Sequence, residues 1–365
     1  MSSFSIKTST MQSLVNKVIK AAGNSNFNTL TNLVHVELED NVLKLTTTDL
    51  NNYFTMVEKD VTGENLEFTV PCEIFSKLIS KTSTENIKFD VSDDVIAITG
   101  NGTYKIQIQL DVDGKPIKYP TNTINNPDYS GTVKLSYIKN VILHNKTSCA
   151  ITDEEPCLRG YLCIDDGVVS ADSFNICKTE LEMFDTSILV SPIVFDLLSM
   201  SSSEDISYKI CDNRALFESD NIVLFSHLME GIEKYYSFLG TINSCMETKF
   251  PSNCSISKSL LLSAVDRLSL FIDDMDQNAI RFTFTKNGLS LESMNSRGIE
   301  TLPYQGSEKF TDFSCLVGVD ALKRQMQSIS GESVKIEYGN SKIISIKKDN
   351  STHVISLMTD GADEE

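Results

Sequence analysis

The sequence predicts an α+β chain of three tandem domains, each a duplicated helix plus antiparallel-strand unit, with helices lining a ring and sheets outside. Three observations carry that prediction. A strand–turn–strand pattern recurs six times, a helical stretch precedes each copy at regular spacing, and basic residues collect on those helices although the chain is acidic.

Repeats come first, because a missed period misassigns the whole architecture. The six hairpin segments are Leu33–Asp49, Ile87–Asn101, Tyr161–Ser173, Ile206–Asp220, Ile280–Met294 and Val334–Lys348. The fifth is the plainest: Ile280 to Phe284 alternates with period two, Asn287-Gly288 supplies the turn, and Leu289-Ser290-Leu291 returns. Asn-Gly between alternating runs is a strong hairpin signal, since both residues tolerate the positive φ of a tight turn. The sixth copy repeats the design around Gly339-Asn340.

The helical stretches begin near Met11, Cys72, Lys134, Pro192, Lys258 and Val319, at intervals of 61, 62, 58, 66 and 61 residues. In the third, Leu135, Ile138, Ile142 and Leu143 fall on one apolar face. From helix start to hairpin start the distance alternates, at 22, 15, 27, 14, 22 and 15 residues. Odd halves therefore carry the longer connection, and the true unit is a pair of halves recurring at 123 and 124 residues. The expected domains are 1–125, 126–250 and 251–365, with polar, proline-marked linkers near 121–127 and 248–253.

The chain has 365 residues, 41% hydrophobic and 22% charged, a globular composition. Its first ten residues lack the basic flank and apolar run of a signal peptide, and no stretch is apolar enough to span a bilayer, so a soluble intracellular protein is expected. Nine scattered cysteines, odd in number and never spaced Cys-x-x-Cys, read as reduced thiols packed as small apolar side chains.

A net charge of −18 argues against a nucleic-acid binder until the charges are located. Over the six helix windows (11–22, 72–81, 134–146, 191–200, 258–270 and 319–330) there are eleven basic and four acidic residues, a local net of +7. The basic residues are Lys17, Lys20, Lys77, Lys81, Lys134, Lys139, Lys146, Lys258, Arg267, Lys323 and Arg324. Helices that face inward with such charge would hold a duplex backbone without reading bases, and the prevalence of Lys over Arg suits mobile contacts. Solvation of exposed helix faces is the plainer account of any single lysine.

Local patterns add a family resemblance. Leu262-Ser263-Ala264-Val265-Asp266-Arg267-Leu268 with Ala279-Ile280-Arg281-Phe282, the segment Tyr235-Tyr236-Ser237-Phe238-Leu239, and the ending His353-Val354-Ile355-Ser356-Leu357-Met358 resemble parts of the bacterial DNA polymerase III beta subunit, the sliding clamp. They match, in turn, the opening of that family's third domain, its Tyr-containing interdomain segment and its terminal strand. The resemblance spans nearly the whole chain. It departs where family members carry Ala-Thr-Asp-Gly: here stand Thr47-Thr48-Asp49-Leu50, Ala171-Asp172-Ser173-Phe174 and Glu292-Ser293-Met294-Asn295. Such divergence, with the Asn/Lys-rich composition, would fit a phage or plasmid clamp.

The resemblance implies a non-catalytic replication processivity factor. Two chains would form a head-to-tail homodimer ring around duplex DNA in the bacterial cytoplasm or nucleoid, loaded by a separate ATP-driven clamp loader and tethering DNA polymerase. It implies no cofactor. The subunit contact would set Leu270 and Phe271 against Tyr104 and Ile106. A groove for partner peptides would involve Leu158, Ala171, Phe174, Ile176, Phe238, Leu239, Val354, Ser356, Leu357 and Met358. The basic residues that the family places in that groove are replaced by Asn175 and Thr359.

No catalytic or metal motif stands out. The four histidines are isolated, and no phosphate-binding loop or nucleophile elbow occurs. Asp274-Met275-Asp276-Gln277-Asn278 begins like a calcium loop, but Ala279 and Thr285 stand where Gly and Glu are needed, so it reads as a polar loop. Asp153-Glu154-Glu155 reads as solvated surface. Two rivals remain at this level: a three-domain scaffold that never meets DNA, and an enzyme built from unremarkable Asp and Lys residues.

Overall fold

Each of the six expected halves is a strand that runs directly into a helix and then a three-stranded antiparallel meander. A computed structural model describes residues 2–23, 29–115, 117–120, 122–151, 155–272, 278–309 and 311–359, with backbone alone for 306–309. The calcium-like positions Asp274 to Gln277, Asp153-Glu154 and Thr121 lie outside the described residues.

The helices of the repeat are α1 (Thr8–Val18), α2 (Cys72–Lys81), α3 (Leu135–Asn145) and α4 (Pro192–Leu198); α5 (Ile232–Met246) stands outside it, and α6 (Lys258–Leu268) and α7 (Val319–Ser328) complete the six. Five begin within a residue of the expected place. The exception is α1, which starts at Thr8 rather than near Met11, because strand Ser2–Lys7 feeds it without a loop.

The two halves of each pair exchange their first strands. Ser2–Lys7 pairs with Asn86–Val91 of the second half, and Leu66–Pro71 returns to Leu33–Glu39 of the first. The same reciprocity joins Tyr129–Lys134 to Asp205–Cys211 and Ile188–Val190 to Tyr161–Ile164. It recurs between Ser252–Ser257 and Ser333–Tyr338, and between Phe313–Gly318 and Ala279–Thr285. Neither half completes its sheet alone, so the pair of halves is the structural unit.

The chain divides into two compact units, Met1–Ile138 with Ile193–Leu228, and Lys139–Pro192 with Met229–Glu365. Both take part of residues 126–250 because sheets run on through backbone pairing. In the first unit Asn52–Glu58 pairs with Ile222–His227, making one eight-stranded sheet. In the second, Asn175–Thr179 pairs with Ser351–Met358.

In the first unit α1 and α2 pack over the sheets through Met11, Leu14, Val15, Val18, Phe75 and Ile79, all buried. Each such side chain contributes about 1.5–3 kcal/mol on burial. Gln12 ties the helices by donating from Nε2 to Ile79 O (3.0 Å) and Thr82 O (2.9 Å). In the second unit α6 and α7 cover Phe282, Phe284, Leu291, Ile336 and Tyr338, with Phe284 stacked on Tyr338 at 3.9 Å. Ser257 caps α6, accepting from Leu260 N–H. In the fifth hairpin Gly288 sits at φ +153°, where a Cβ would lie 2.6 Å from Leu302 O. The nine cysteines are free thiols, seven of them buried.

Candidate functional site

Strand alternation and one extra helix build a groove in the second unit. Its volume is about 260 Å³, and its wall comes from Leu158, Ala171, Phe174, Asn175, Ile176, Phe238, Thr241, Ile242, Cys245, Ile343, Val354 and Ser356, with Asp172 and Ser173 at the turn. Seven of the ten residues expected there converge on it. Leu239, Leu357 and Met358 do not: Leu239 packs on the core beneath α5, Leu357 packs on the α6–α7 core, and Met358 pairs in register with Leu316. Helix α5 contributes Phe238, Thr241, Ile242 and Cys245, and the last three were not expected. The signal was present, since Ile232, Tyr235, Leu239, Ile242 and Met246 recur every three or four residues. Tyr235 anchors the helix, fully buried with its hydroxyl donating to Val169 O at 3.3 Å. Burial also pushes the Cys245 thiol pKa up, so this groove cysteine is a weak nucleophile.

Below the turn lies an ionic support. Asp172, whose side chain is 1% exposed, meets Arg324 Nη1 of α7 at 2.8 Å through Oδ2. Its Oδ1 accepts from the N–H groups of Phe174 and Asn175, both at 2.7 Å. Arg324 also donates to Thr147 O (2.7 Å) and Cys149 O (3.1 Å). Arg324, expected on the DNA-facing set, thus has its guanidinium engaged by Asp172, Thr147 and Cys149 in the groove's frame.

The remaining ten cations fall into two sets. Lys77 pairs with Glu73, Lys134 with Asp205, Arg267 bidentately with Glu300, and Lys323 with Asp266. Lys258 donates to Ile329 O at 2.5 Å, a helix-end contact rather than an open charge. Lys146 is exposed and also has a partner. Among the described residues Lys17, Lys20, Lys81 and Lys139 have no carboxylate in range; Lys17 is half-buried and the others are exposed. Sequence patterning could not separate these sets, because most of the partner acids lie far along the chain.

Of the four expected contact residues, Tyr104, Leu270 and Phe271 are exposed, Leu270 at 80%. Ile106 is not: at 5% exposure it belongs to the core of its sheet, which corrects that assignment. In the first unit Tyr104 instead shares a shallow hollow with Ile74, Lys77, Leu78 and Lys81. In the second, Ile299 is a further exposed apolar residue. Asp128, Cys211 and Asp212 bring possible ligand atoms within 4.8 Å of one another, but Arg214 already stands 3.7 Å from Asp212 as counter-charge. No described helix is long and apolar enough to cross a membrane.

Repeated strand–helix–meander halves, paired by strand exchange and extended through three domains, make this the fold of the DNA sliding clamps. Among solved structures, the DNA polymerase III subunit beta of Borrelia burgdorferi in complex with a natural product superposes with a TM-score of 0.84 at 17% identity, covering 98% of both chains. A putative DNA polymerase III beta subunit of Eubacterium rectale matches at 0.81 and 19% identity, covering 99% of this chain and 100% of its own. The Bacillus subtilis DNA polymerase sliding clamp matches at 0.81 and 14%, covering 98% and 99%. No protein-family model and no curated protein matches the sequence. At these identities the likeness establishes the fold.

Proposed function

We propose that the chain is a DNA sliding clamp: a non-catalytic processivity factor that encircles duplex DNA as a head-to-tail ring of two copies and tethers DNA polymerase through the groove of the second unit. The observation that carries this reading is agreement of fold from end to end, at TM-scores of 0.81 to 0.84 over at least 98% of the chain, with three-domain clamps. Unpaired lysines on α1, α2 and α3, within a chain of net charge −18, support inward-facing helices. Weak lysine contacts alone would be lost at physiological salt, so closure would replace affinity. Domains at 1–125, 126–250 and 251–365 belong to this reading, as do a separate clamp loader and a bacterial cytoplasmic setting.

The test is retention on nicked circular DNA. Loaded protein should stay on the closed circle and leave when the circle is cut. Equal loss from both forms would refute encirclement. The exposed Leu270 and Phe271 would meet the Ile74–Tyr104 hollow of a second copy. Changing Leu270 and Phe271 to Asp should give monomers by scattering mass, and a persistent dimer would refute that contact. A second reading, a three-domain scaffold that does not bind DNA, draws on the internal pairing of Lys77, Lys134, Arg267, Lys323 and Arg324. It predicts no retention on either DNA form.

A further inference from the structure

The first unit carries a cleft of its own on the outward face of its eight-stranded sheet. Val34, Val36 and Leu38 of strand Leu33–Glu39 are buried, and alternation turns His35 and Glu37 to the opposite side. The cleft there measures about 320 Å³, at the lower end of the roughly 300–1,000 Å³ of small-ligand sites. One wall is the connection beyond Ile117. Thr69 Oγ1 holds it by donating to Ile117 O at 2.7 Å, and the Tyr119 hydroxyl lies 2.8 Å from the carbonyl oxygens of both Leu30 and Leu33.

One part of the lining is charged. Glu37 and Glu67 stand directly opposite in register, two like charges on neighbouring strands, which costs stability. Lys44 reaches Glu37 at 3.2 Å, and Lys118 reaches Glu67 at 2.5 Å. His35 lies 3.0 Å from Glu67, and burial lowers its pKa, so the ring is uncharged at neutral pH. Among the described lining residues the ionised groups are thus two carboxylates and two ammoniums, a sum of zero. Another part is aromatic. Tyr119 stacks on His35 with centroids 5.5 Å apart, and Tyr53 meets Tyr119 edge-on at 6.4 Å and Phe225 at 6.3 Å.

This lining discriminates by charge. An anion would meet two carboxylates on the sheet, and a cation would meet two ammonium groups already in place. A neutral molecule gains nothing from any of the four. A zwitterion gains from all of them: its ammonium relieves the repulsion between Glu37 and Glu67, while the lysine arms, 40% and 69% exposed, swing to its carboxylate. An α-amino acid carries both charges on one carbon. An aromatic side chain then extends over Tyr53 and Phe225, whose rings favour offset or edge-on contact. We propose that this cleft is a binding site for a free aromatic α-amino acid, its ammonium against Glu37 and Glu67 and its carboxylate against Lys44 and Lys118. The site is separate from the groove of the second unit and does not depend on encirclement of DNA.

The full-length protein would be titrated by calorimetry with L-phenylalanine, N-acetyl-L-phenylalanine, L-phenylalanine amide and glycine. The last three lack, in turn, the ammonium, the carboxylate and the side chain. L-Phenylalanine should bind at one site per chain, and each of the others about tenfold or more weakly, since each forfeits one set of contacts. Glu67→Gln should weaken L-phenylalanine about tenfold and leave the weaker binding of the N-acetyl form unchanged, a difference that general damage to the fold would not give. Should that variant unfold, Lys44→Ala supplies the mirror test, weakening L-phenylalanine but not its amide. Absence of binding at millimolar L-phenylalanine, equal affinity for all four ligands, or binding that neither substitution changes would overturn the assignment.

Discussion

Arg324 shows how one contact redirects a residue. Read along the chain it is one more cation on a helix; in the fold its partner Asp172 is 152 residues away and almost wholly enclosed. Removing one member of a buried pair leaves the other charge uncompensated, at a cost of about 3–5 kcal/mol. Arg324→Ala should therefore lower the denaturant midpoint steeply and speed hydrogen exchange at the Phe174 and Asn175 amides, which Asp172 holds. Unchanged exchange there would show that the frame does not depend on the pair. His353 makes a second case. It is fully buried, its Nδ1 2.8 Å from Gln325 Oε1 and its ring 5.6 Å from that of His144. Burial, then the neighbouring His144, lowers its pKa from 6.5 to about 3. A histidine that titrates lower when folded contributes stability that is fully present above the unfolded value and is withdrawn as pH falls from 6.5 toward 3. At pH 5 the loss for this group is about 2 kcal/mol. His353→Leu should flatten the fall in stability between pH 7 and pH 5, whatever its stability at pH 7; parallel slopes would disprove the assignment.

At the scale of elements, the sequence marked the helices well and the sheets only in part. Hairpins with Asn-Gly or Gly-Asn turns announce themselves through alternation, whereas the third strands Thr103–Gln107 and Ile299–Leu302 are too short and too exposed to show a pattern. Helix α5 escaped notice for another reason: it has no counterpart in the repeat, although its apolar spacing is regular. It supplies four groove residues, so its stability bears on the groove. Gly240 lies exposed within α5, and a Cβ there would meet nothing within 4 Å. Gly240→Ala should raise unfolding stability by about 0.5–1 kcal/mol through helix propensity. A loss of stability would mean that the outer face of α5 is covered.

For the whole molecule, the useful quantity is how many cations remain free rather than how many the helices carry. Exposed pairs such as Lys77–Glu73 and Lys134–Asp205 contribute little to stability, but each presents a neutral sum to an approaching phosphate. Charge reversal at Lys17, Lys20, Lys81 and Lys139 should therefore shorten retention on circular DNA markedly more than reversal at Lys77, Lys134 and Lys323. Equal effects would refute the division. Raised salt should abolish binding to short linear duplexes well before it releases protein from a closed circle, because screening weakens contacts but cannot open a topological link.

The repeat, its pairing of halves and five of the six helix starts could be read from the chain alone, because periodicity and turn residues act over a few positions and recur six times. The resemblance pointed to seven groove residues by position. What periodicity could not supply was any pairing set by distant partners. The exchange of first strands, the enclosure of Ile106 and the commitment of Arg324 to Asp172 all follow from contacts between remote segments. Such contacts exist only once hydrophobic burial has brought the sheets together, and burial then decides which partner each polar group keeps.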